Sequence, residues 1–457
     1  MVRVKAKGLK KEKHGSPRWG RASAGASAAL CLAALSACGF FMDTPDDRLP
    51  GERVPVLQGE DGLAPSPSLA SVPVRLPRPV ANRDWTQVGA EPGHAPHHLA
   101  LSATLTEAWS TDIGAGRDDE APLLPQPLVV DEVVFTMDAR ARVSALDART
   151  GDLYWRISLA DDVSEDSVSS AGIAYGEGRV FVTTGFAVAY ALDARTGKII
   201  WRRKLSAPMR ASPSVDGDRV YITTVDSRLH AISTATGERL WTHAGLEEAS
   251  GILGSAEPAI APDVVIAAYA SGEVYAIRRA NGRTLWSDTV VSISQADPLA
   301  TIADISGAPV IDDNLVFAVS HSGRMVALNL QTGRRVWEQS VGGTHMPWVA
   351  GNFVYVLTNS MEIVCIHRES GEIRWITQLR RFEDTEEREK LVVWSGPVIA
   401  GDRALVVSSH GYIGAVSPYT GQFLGSIKVG EPIHVSPVVA GDTLYVLTDD
   451  ATLMAFR

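Results

Sequence analysis

The chain has 457 residues, three cysteines, 43 basic and 53 acidic side chains, and a formal net charge of −10. This acidic balance argues against binding to nucleic acid or direct docking on an anionic membrane surface. Three cysteines cannot make a disulfide framework, so a domain of this length must be stabilised by packing.

The amino terminus has the pattern of a secretory leader. Residues 1–21 hold eight Lys or Arg and one acid, and an Ala- and Leu-rich stretch follows. The run Leu35–Cys38 (Leu-Ser-Ala-Cys) resembles the lipobox of bacterial lipoproteins, in which cleavage leaves a lipidated cysteine at the start. We therefore predict a signal peptide at 1–37 and lipid on Cys38; the alternative is an ordinary signal with an incidental cysteine. By the rules of such lipoproteins, Gly39 favours the outer membrane.

A proline-rich stretch follows the cysteine. Eight prolines and almost no aromatic residue lie between Gly39 and Val80. Such a composition cannot bury enough apolar surface to fold. We predict a flexible tether at 38–80 and one folded domain at 81–457. Three histidines near the start of that domain are predicted to be solvated rather than a zinc site. They are His94, His97 and His98.

The folded domain repeats one pattern seven times: a strand, a Thr-Gly turn or its equivalent, three residues and then Trp, which the seventh copy lacks. The period is 38 to 51 residues. The glycines of this repeat are Gly151, Gly197, Gly237, Gly282, Gly333, Gly371 and Gly421. A period of this length, made of short strands and turns, indicates a β-propeller. Asp147 and Asp193 are predicted to cap their turns rather than bind an ion.

The number of hairpins predicts an all-β fold of eight blades. The last hairpin is followed by one strand, Ala451–Arg457, and an outer strand is missing there. An unmatched strand carrying Trp109 lies at the other end, at Thr106–Ile113. We predict that this amino-terminal strand completes the last blade and closes the ring, since closure removes an exposed sheet edge.

The repeats resemble those of the pyrroloquinoline quinone dehydrogenases, which are eight-bladed and rich in Trp. Those enzymes need a metal ion, a catalytic Asp and usually a disulfide between adjacent cysteines, and this chain has no adjacent cysteines. We therefore predict no catalytic residue, no metal and no cofactor. A quinoprotein-like dehydrogenase, or a binder of a small molecule in the central channel, remains the alternative function.

The lipobox, the first Trp strand, the eight blades and the run Ser292–Val310 together resemble the BamB family of outer-membrane lipoproteins. The resemblance implies a non-enzymatic scaffold on the periplasmic face of the outer membrane, anchored by lipid. It implies binding to the periplasmic domains of the BamA insertase, with nascent outer-membrane proteins as further partners.

Strand order predicts which face of the propeller binds. The Gly-Asp and Thr-Gly turns lie on one face, the short-turn face, and the connections between blades lie on the opposite, long-loop face. Long loops on a rigid scaffold are where binding is usually placed. The resemblance places the insertase contacts in two of these loops, at Ile252, Leu253, Ile302, Asp304 and Ser306. Ile252 and Ile302 could equally anchor their loops to the blades.

A third connection, Arg380–Lys390, is densely charged. We predict a solvated helical turn with i,i+4 pairs such as Glu386 with Lys390, in preference to a second docking point.

Overall fold

The computed structural model describes residues 63–118, 121, 125–160, 170–246, 255–291 and 304–457. They belong to one compact unit, Gly62–Arg457. The described residues form 34 β-strands and a 3₁₀ turn at Pro67–Leu69. No helix in this part of the chain has the length and apolarity to cross a bilayer.

Eight four-stranded antiparallel sheets form the blades, which confirms the predicted architecture. Blades 1 and 2 are β2 (Leu128–Val130), β3 (Val133–Met137), β4 (Arg142–Asp147), β5 (Leu153–Ser158), and β6 (Ser170–Gly176), β7 (Arg179–Thr184), β8 (Val188–Asp193), β9 (Ile199–Lys204). Blades 3 and 4 are β10 (Ser214–Asp216), β11 (Arg219–Thr224), β12 (Arg228–Ser233), β13 (Arg239–Ala244), and β14 (Ala259–Ile260), β15 (Val264–Ala268), β16 (Glu273–Arg278), β17 (Thr284–Thr289).

The remaining blades repeat this order. Blades 5 and 6 are β18 (Val310–Asp312), β19 (Leu315–Val319), β20 (Met325–Asn329), β21 (Arg335–Gln339), and β22 (Trp348–Ala350), β23 (Phe353–Leu357), β24 (Glu362–His367), β25 (Ile373–Gln378). Blade 7 is β28 (Trp394–Ala400), β29 (Arg403–Ser408), β30 (Tyr412–Val416), β31 (Phe423–Lys428). Blade 8 is β32 (Val438–Ala440), β33 (Thr443–Leu447), β34 (Thr452–Phe456) and β1 (Glu107–Asp112). Because first strands of neighbouring blades contact one another, they surround the centre of the ring.

The repeated tryptophans join seven of the eight blades to the next blade. Each indole N–H donates to a backbone carbonyl in the turn region of the following blade, over 2.7–3.2 Å. The pairs are Trp109–Ala148, Trp155–Ala194, Trp201–Thr234, Trp241–Arg279, Trp286–Leu330, Trp337–Arg368 and Trp375–Pro418. The repeat therefore encodes seven of the eight contacts between blades, and the eighth has Gly425 in the position of the Trp.

The ring closes as predicted. β1 pairs antiparallel with β34, and Trp109 lies opposite Ala455. The side chain of Trp109 is buried, and Arg457 Nη2 donates to Ala148 O of blade 1 over 2.7 Å. The first and last strands of the described residues therefore contribute to one blade and to its contact with blade 1.

An inner belt, residues Val80–Leu101, makes one circuit of the channel at the centre of the ring. It hydrogen-bonds to blades 8, 1, 2, 3, 4, 5, 6 and 7 in that order, through Asn82, Trp85, Thr86, Gln87, Pro92, Gly93, His97 and Leu99. The two ends of the belt meet, because Val80 N donates to His98 O over 2.9 Å. Gly441 N, in the turn after β32, donates to Asn82 O over 2.7 Å. The belt therefore lies toward the short-turn face.

The prediction that the histidines of the belt are solvated is wrong for His94 and His98, which are both buried. His94 Nδ1 lies 2.8 Å from Pro309 O, and burial lowers the pKa of His94 to about 4. His98 Nδ1 lies 2.8 Å from the carbonyl oxygen of Pro77. His97 Nε2 lies 3.2 Å from a carboxylate oxygen of Asp312 in blade 5, and its pKa is raised by that contact. All three side chains therefore fasten the belt in place.

The predicted tether extends too far along the chain. An approach segment, Leu63–Arg78, lies against blade 6, where Ser66 N donates to Ile373 O over 2.7 Å. The side chains of Leu69 and Val74 are buried. These two apolar residues anchor a stretch whose average composition is that of an unfolded chain, so the packed domain begins before residue 81.

Candidate partner-binding face

The amino-terminal segment covers part of the short-turn face. On the short-turn face, the approach segment lies over blade 6, and Arg75 O lies against the turn at Gly351. Beyond the belt, Ser102 Oγ donates to Asp442 in the corresponding turn of blade 8 over 2.9 Å. The amino-terminal segment therefore occupies much of the short-turn face around the channel.

Of the five predicted partner-binding residues, the structure describes two, Asp304 and Ser306. Ile252, Leu253 and Ile302 lie outside the described residues, as do Cys38 and the signal peptide. Asp304 is only 1% exposed, and its carbonyl oxygen accepts from His321 N over 2.9 Å. Ser306 lines a cavity at the centre of the ring. Asp304 and Ser306 lie near each other in the connection before β18, but neither is an open surface side chain.

Three apolar residues on the long-loop face are exposed at positions that the sequence analysis missed, although more of the exposed apolar residues, such as Leu153 and Leu424, lie beside the Thr-Gly turns. Leu246, just after β13, is 62% exposed, and Leu391 in the connection between blades 6 and 7 is 57% exposed. Val225, in the turn between β11 and β12, also projects from this face. In the sequence, an apolar residue within an otherwise polar connection could have indicated these positions. Such side chains can anchor a partner when they become buried.

The charged connection between blades 6 and 7 is a hairpin, so the predicted helical turn is wrong. Its strands are β26 (Phe382–Asp384) and β27 (Glu389–Leu391). Lys390 Nζ lies 3.3 Å from Glu383 across the hairpin, and the predicted pair with Glu386 is not formed. Asp384 Oδ1 accepts from Glu386 N over 2.9 Å and therefore sets the turn.

The two aspartates that were predicted to cap turns do so. Asp147 Oδ1 accepts from Arg149 N over 2.7 Å, and Asp193 Oδ1 accepts from Thr196 N over 2.9 Å. These contacts confirm both predictions. Across the described ranges, no group of three or more His, Cys, Asp or Glu side chains could hold a metal ion.

Comparison with known proteins gives a family. A family model described as "Outer membrane protein assembly factor BamB" matches residues 98–169 and 139–377. The protein of that name from Yersinia pestis is 26% identical over 359 residues, which are 77% of this chain and 88% of the relative. The one from Escherichia coli K12 is 27% identical over 358 residues, with the same two coverages of 77% and 88%.

Solved structures agree in fold. The crystal structure of BamB from Moraxella catarrhalis superposes with a TM-score of 0.65 at 20% identity, over 78% of this chain and 100% of that one. A quinohemoprotein alcohol dehydrogenase from Comamonas testosteroni reaches a TM-score of 0.63 at 14% identity, over 82% and 81% of the two chains. At these identities the likeness extends to the propeller alone. The family model matches more than half of this chain, and the chain therefore belongs to the BamB family.

Proposed function

We propose that this protein is a non-enzymatic scaffold for outer-membrane protein assembly, which binds the periplasmic domains of a BamA-type insertase. The observation that carries the proposal is the match of residues 98–377 to the BamB family model within an eight-bladed ring. The relatives from Yersinia pestis and Escherichia coli are both outer membrane protein assembly factors.

The architecture supports a binding role for the long-loop face. The repeated tryptophans are used between blades, where each one has a backbone acceptor. The amino-terminal segment lies on the short-turn face, where Gly401 N donates to Leu99 O over 2.9 Å. Leu246 and Leu391 are exposed on the other face. A partner that buries them would gain apolar contact area without displacing the approach segment or the belt.

The attachment to the membrane is part of the same proposal. Lipid on Cys38 would anchor the protein in the inner leaflet of the outer membrane. Residues 38–62 then precede the packed approach segment. A flexible tether of that length, as the sequence predicts, would span about 30 Å.

Docking is tested by charge substitution on the long-loop face. We expect the double variant Ile252→Glu, Ile302→Glu to lose co-purification with the insertase from detergent-solubilised outer membrane, and Leu246→Glu to weaken it about tenfold or more. A buried unpaired carboxylate must be desolvated without a partner. Asp304 is not a useful target, because it is buried and its replacement would test folding.

The matched control is Lys198→Glu, an exposed change beside the Thr-Gly turn on the short-turn face. It should leave co-purification unchanged. The opposite result would be that the double variant and Leu246→Glu retain the insertase and that Lys198→Glu loses it. It would mean that the partner binds the short-turn face.

The lipid anchor has its own test. We expect Cys38→Ala to leave an uncleaved precursor or to release the protein into the soluble periplasmic fraction, because the acylated residue is removed. Fractionation and intact mass measure the outcome. Normal processing together with normal membrane retention of the variant would show that Cys38 is not the anchor.

A further inference from the structure

The connection from blade 3 to blade 4 is held at its start by contacts with both blades. Gly245 N donates to Ser227 O, in the turn between β11 and β12, over 2.8 Å. Leu246 N donates to Glu273 Oε2, at the start of β16 in blade 4, over 3.1 Å. The side chain of Leu246 is 62% exposed. An apolar side chain therefore projects from the long-loop face while its own backbone N–H is fixed.

The carboxylate of Glu273 is itself held by two donors of blade 4. Tyr275 Oη donates to Oε1 over 2.9 Å, and Ser271 Oγ donates to Oε2 over 3.1 Å. A hydrogen bond from a backbone N–H to an ionised carboxylate is stronger than one between neutral groups. Blade 4 therefore orients Glu273 to receive the amide of Leu246 in the free protein.

The residue before Leu246 lies against an aromatic ring. A Cβ at Gly245 would lie 2.5 Å from the Tyr269 ring, so the backbone there is in close contact with that ring. Tyr269 is buried, and its hydroxyl oxygen lies 3.0 Å from Nδ1 of His243 in β13. His243 Nε2 lies 3.0 Å from Thr284 Oγ1 in β17. The end of β13 is thus tied to blade 4 before the chain reaches Leu246.

We propose that Glu273 is a positioning residue for docking, which holds Leu246 in place as an apolar anchor for the partner. This inference rests on the proposed function and adds to it the residue that prepares the anchor. Fixing the backbone of one residue costs free energy that corresponds to about a tenfold change in Kd. Because Glu273 fixes Leu246 in the free protein, the partner does not have to order that residue when it binds.

A double-mutant cycle tests the proposal, with the Kd of the full-length protein for the detergent-solubilised insertase as the measurement. We expect Leu246→Ala and Glu273→Ala each to raise Kd about tenfold. The double variant should bind about as weakly as Leu246→Ala alone, because no anchor is left to position. A rise of about a hundredfold in the double variant would mean that Glu273 contacts the partner itself, and would overturn the proposal.

Two further variants separate positioning from a change in the fold. Glu273→Gln keeps an oxygen for Leu246 N, and its new NH2 group can donate to the Tyr275 hydroxyl, so it should bind within about threefold of the unsubstituted chain. Glu362→Ala is the matched control, because Glu362 begins β24 as Glu273 begins β16. The carboxylate of Glu362 lies 3.5 Å from Thr358 Oγ1 in its own turn. We expect this control to leave Kd unchanged.

Hydrogen exchange of the Leu246 amide gives a readout that needs no partner. The amide should exchange slowly in the unsubstituted protein and in Glu273→Gln, and about tenfold faster in Glu273→Ala. Equal exchange in all three chains, or an unchanged Kd in Glu273→Ala beside a weakened Leu246→Ala, would overturn the positioning role alone. Absence of binding by the unsubstituted protein would overturn the proposed function, and this role with it.

Discussion

A chain that lacks Ala451–Arg457 is expected to lose the closed ring and to unfold at a much lower denaturant concentration. The deletion removes β34, which pairs with β33 on one side and with β1 on the other. Leu453, Ala455 and Phe456 are all buried. The strand carrying Trp109 would then have no neighbour within its sheet. Loss of a central strand and of a buried Trp contact costs on the order of 5 kcal/mol or more.

The matched control for this deletion is removal of a hairpin of similar size that lies outside the blades. Replacing Glu383–Lys390 by a short Gly-Ser turn removes mostly exposed residues and leaves the blade strands intact. We expect it to change the free energy of unfolding by about 1 kcal/mol or less. Circular dichroism during urea titration measures both chains. Equal midpoints for the two deletions would show that ring closure does not stabilise the propeller.

The blades could be predicted from the sequence because the same residues repeat and act locally. Each Thr-Gly turn and each Trp recur at a fixed spacing, and they form both the outer hairpin and the contact with the next blade. Even the closing strand was predictable, since Trp109 continued the pattern at the far end of the chain. A repeating unit shows its role several times, so one irregular copy does not hide it.

The inner belt could not be predicted, because its partners are far away in the chain and its own sequence has no period. The side chain of Gln87 pairs with the backbone of Val215, and Trp348 donates to His97 O. Neither contact leaves an alternating or helical pattern in the residues of the belt. His94 therefore looked like a loop histidine, although it is buried against Pro309.

For the candidate site, the sequence could predict on which face each connection lies but not which of its side chains are exposed. Strand order assigns the long connections to one side, but it cannot say which of their side chains point outward. Asp304 is buried, whereas Leu246 is exposed. In the connection between blades 6 and 7, the i,i+4 charge spacing favoured a helix. Instead, the side chain of Asp384 accepts hydrogen bonds from the backbone N–H groups of Glu386 and Glu387. Such local side-chain bonds compete with the backbone hydrogen bonds of a helix.

Gly237→Ala is expected to destabilise the propeller far more than Gly217→Ala, although both glycines lie in turns of blade 3. Their φ values are 70° and 58°, so both substitutions place Ala in a left-handed conformation. That conformation costs about 1 kcal/mol in each case. A Cβ at Gly237 would lie 2.7 Å from the Trp201 ring, whereas a Cβ at Gly217 would meet nothing within 4 Å.

The difference between these two variants isolates the contact between the turn and the tryptophan of the preceding blade. Trp201 is buried and donates to Thr234 O over 3.0 Å, so it cannot retreat without breaking that bond. We expect Gly237→Ala to lose about 2 kcal/mol more than Gly217→Ala, through overpacking and the strained indole. Thermal and urea unfolding of the two variants measure this difference directly. Equal destabilisation would mean that the turn moves aside and that the repeated glycine is needed only for its backbone conformation.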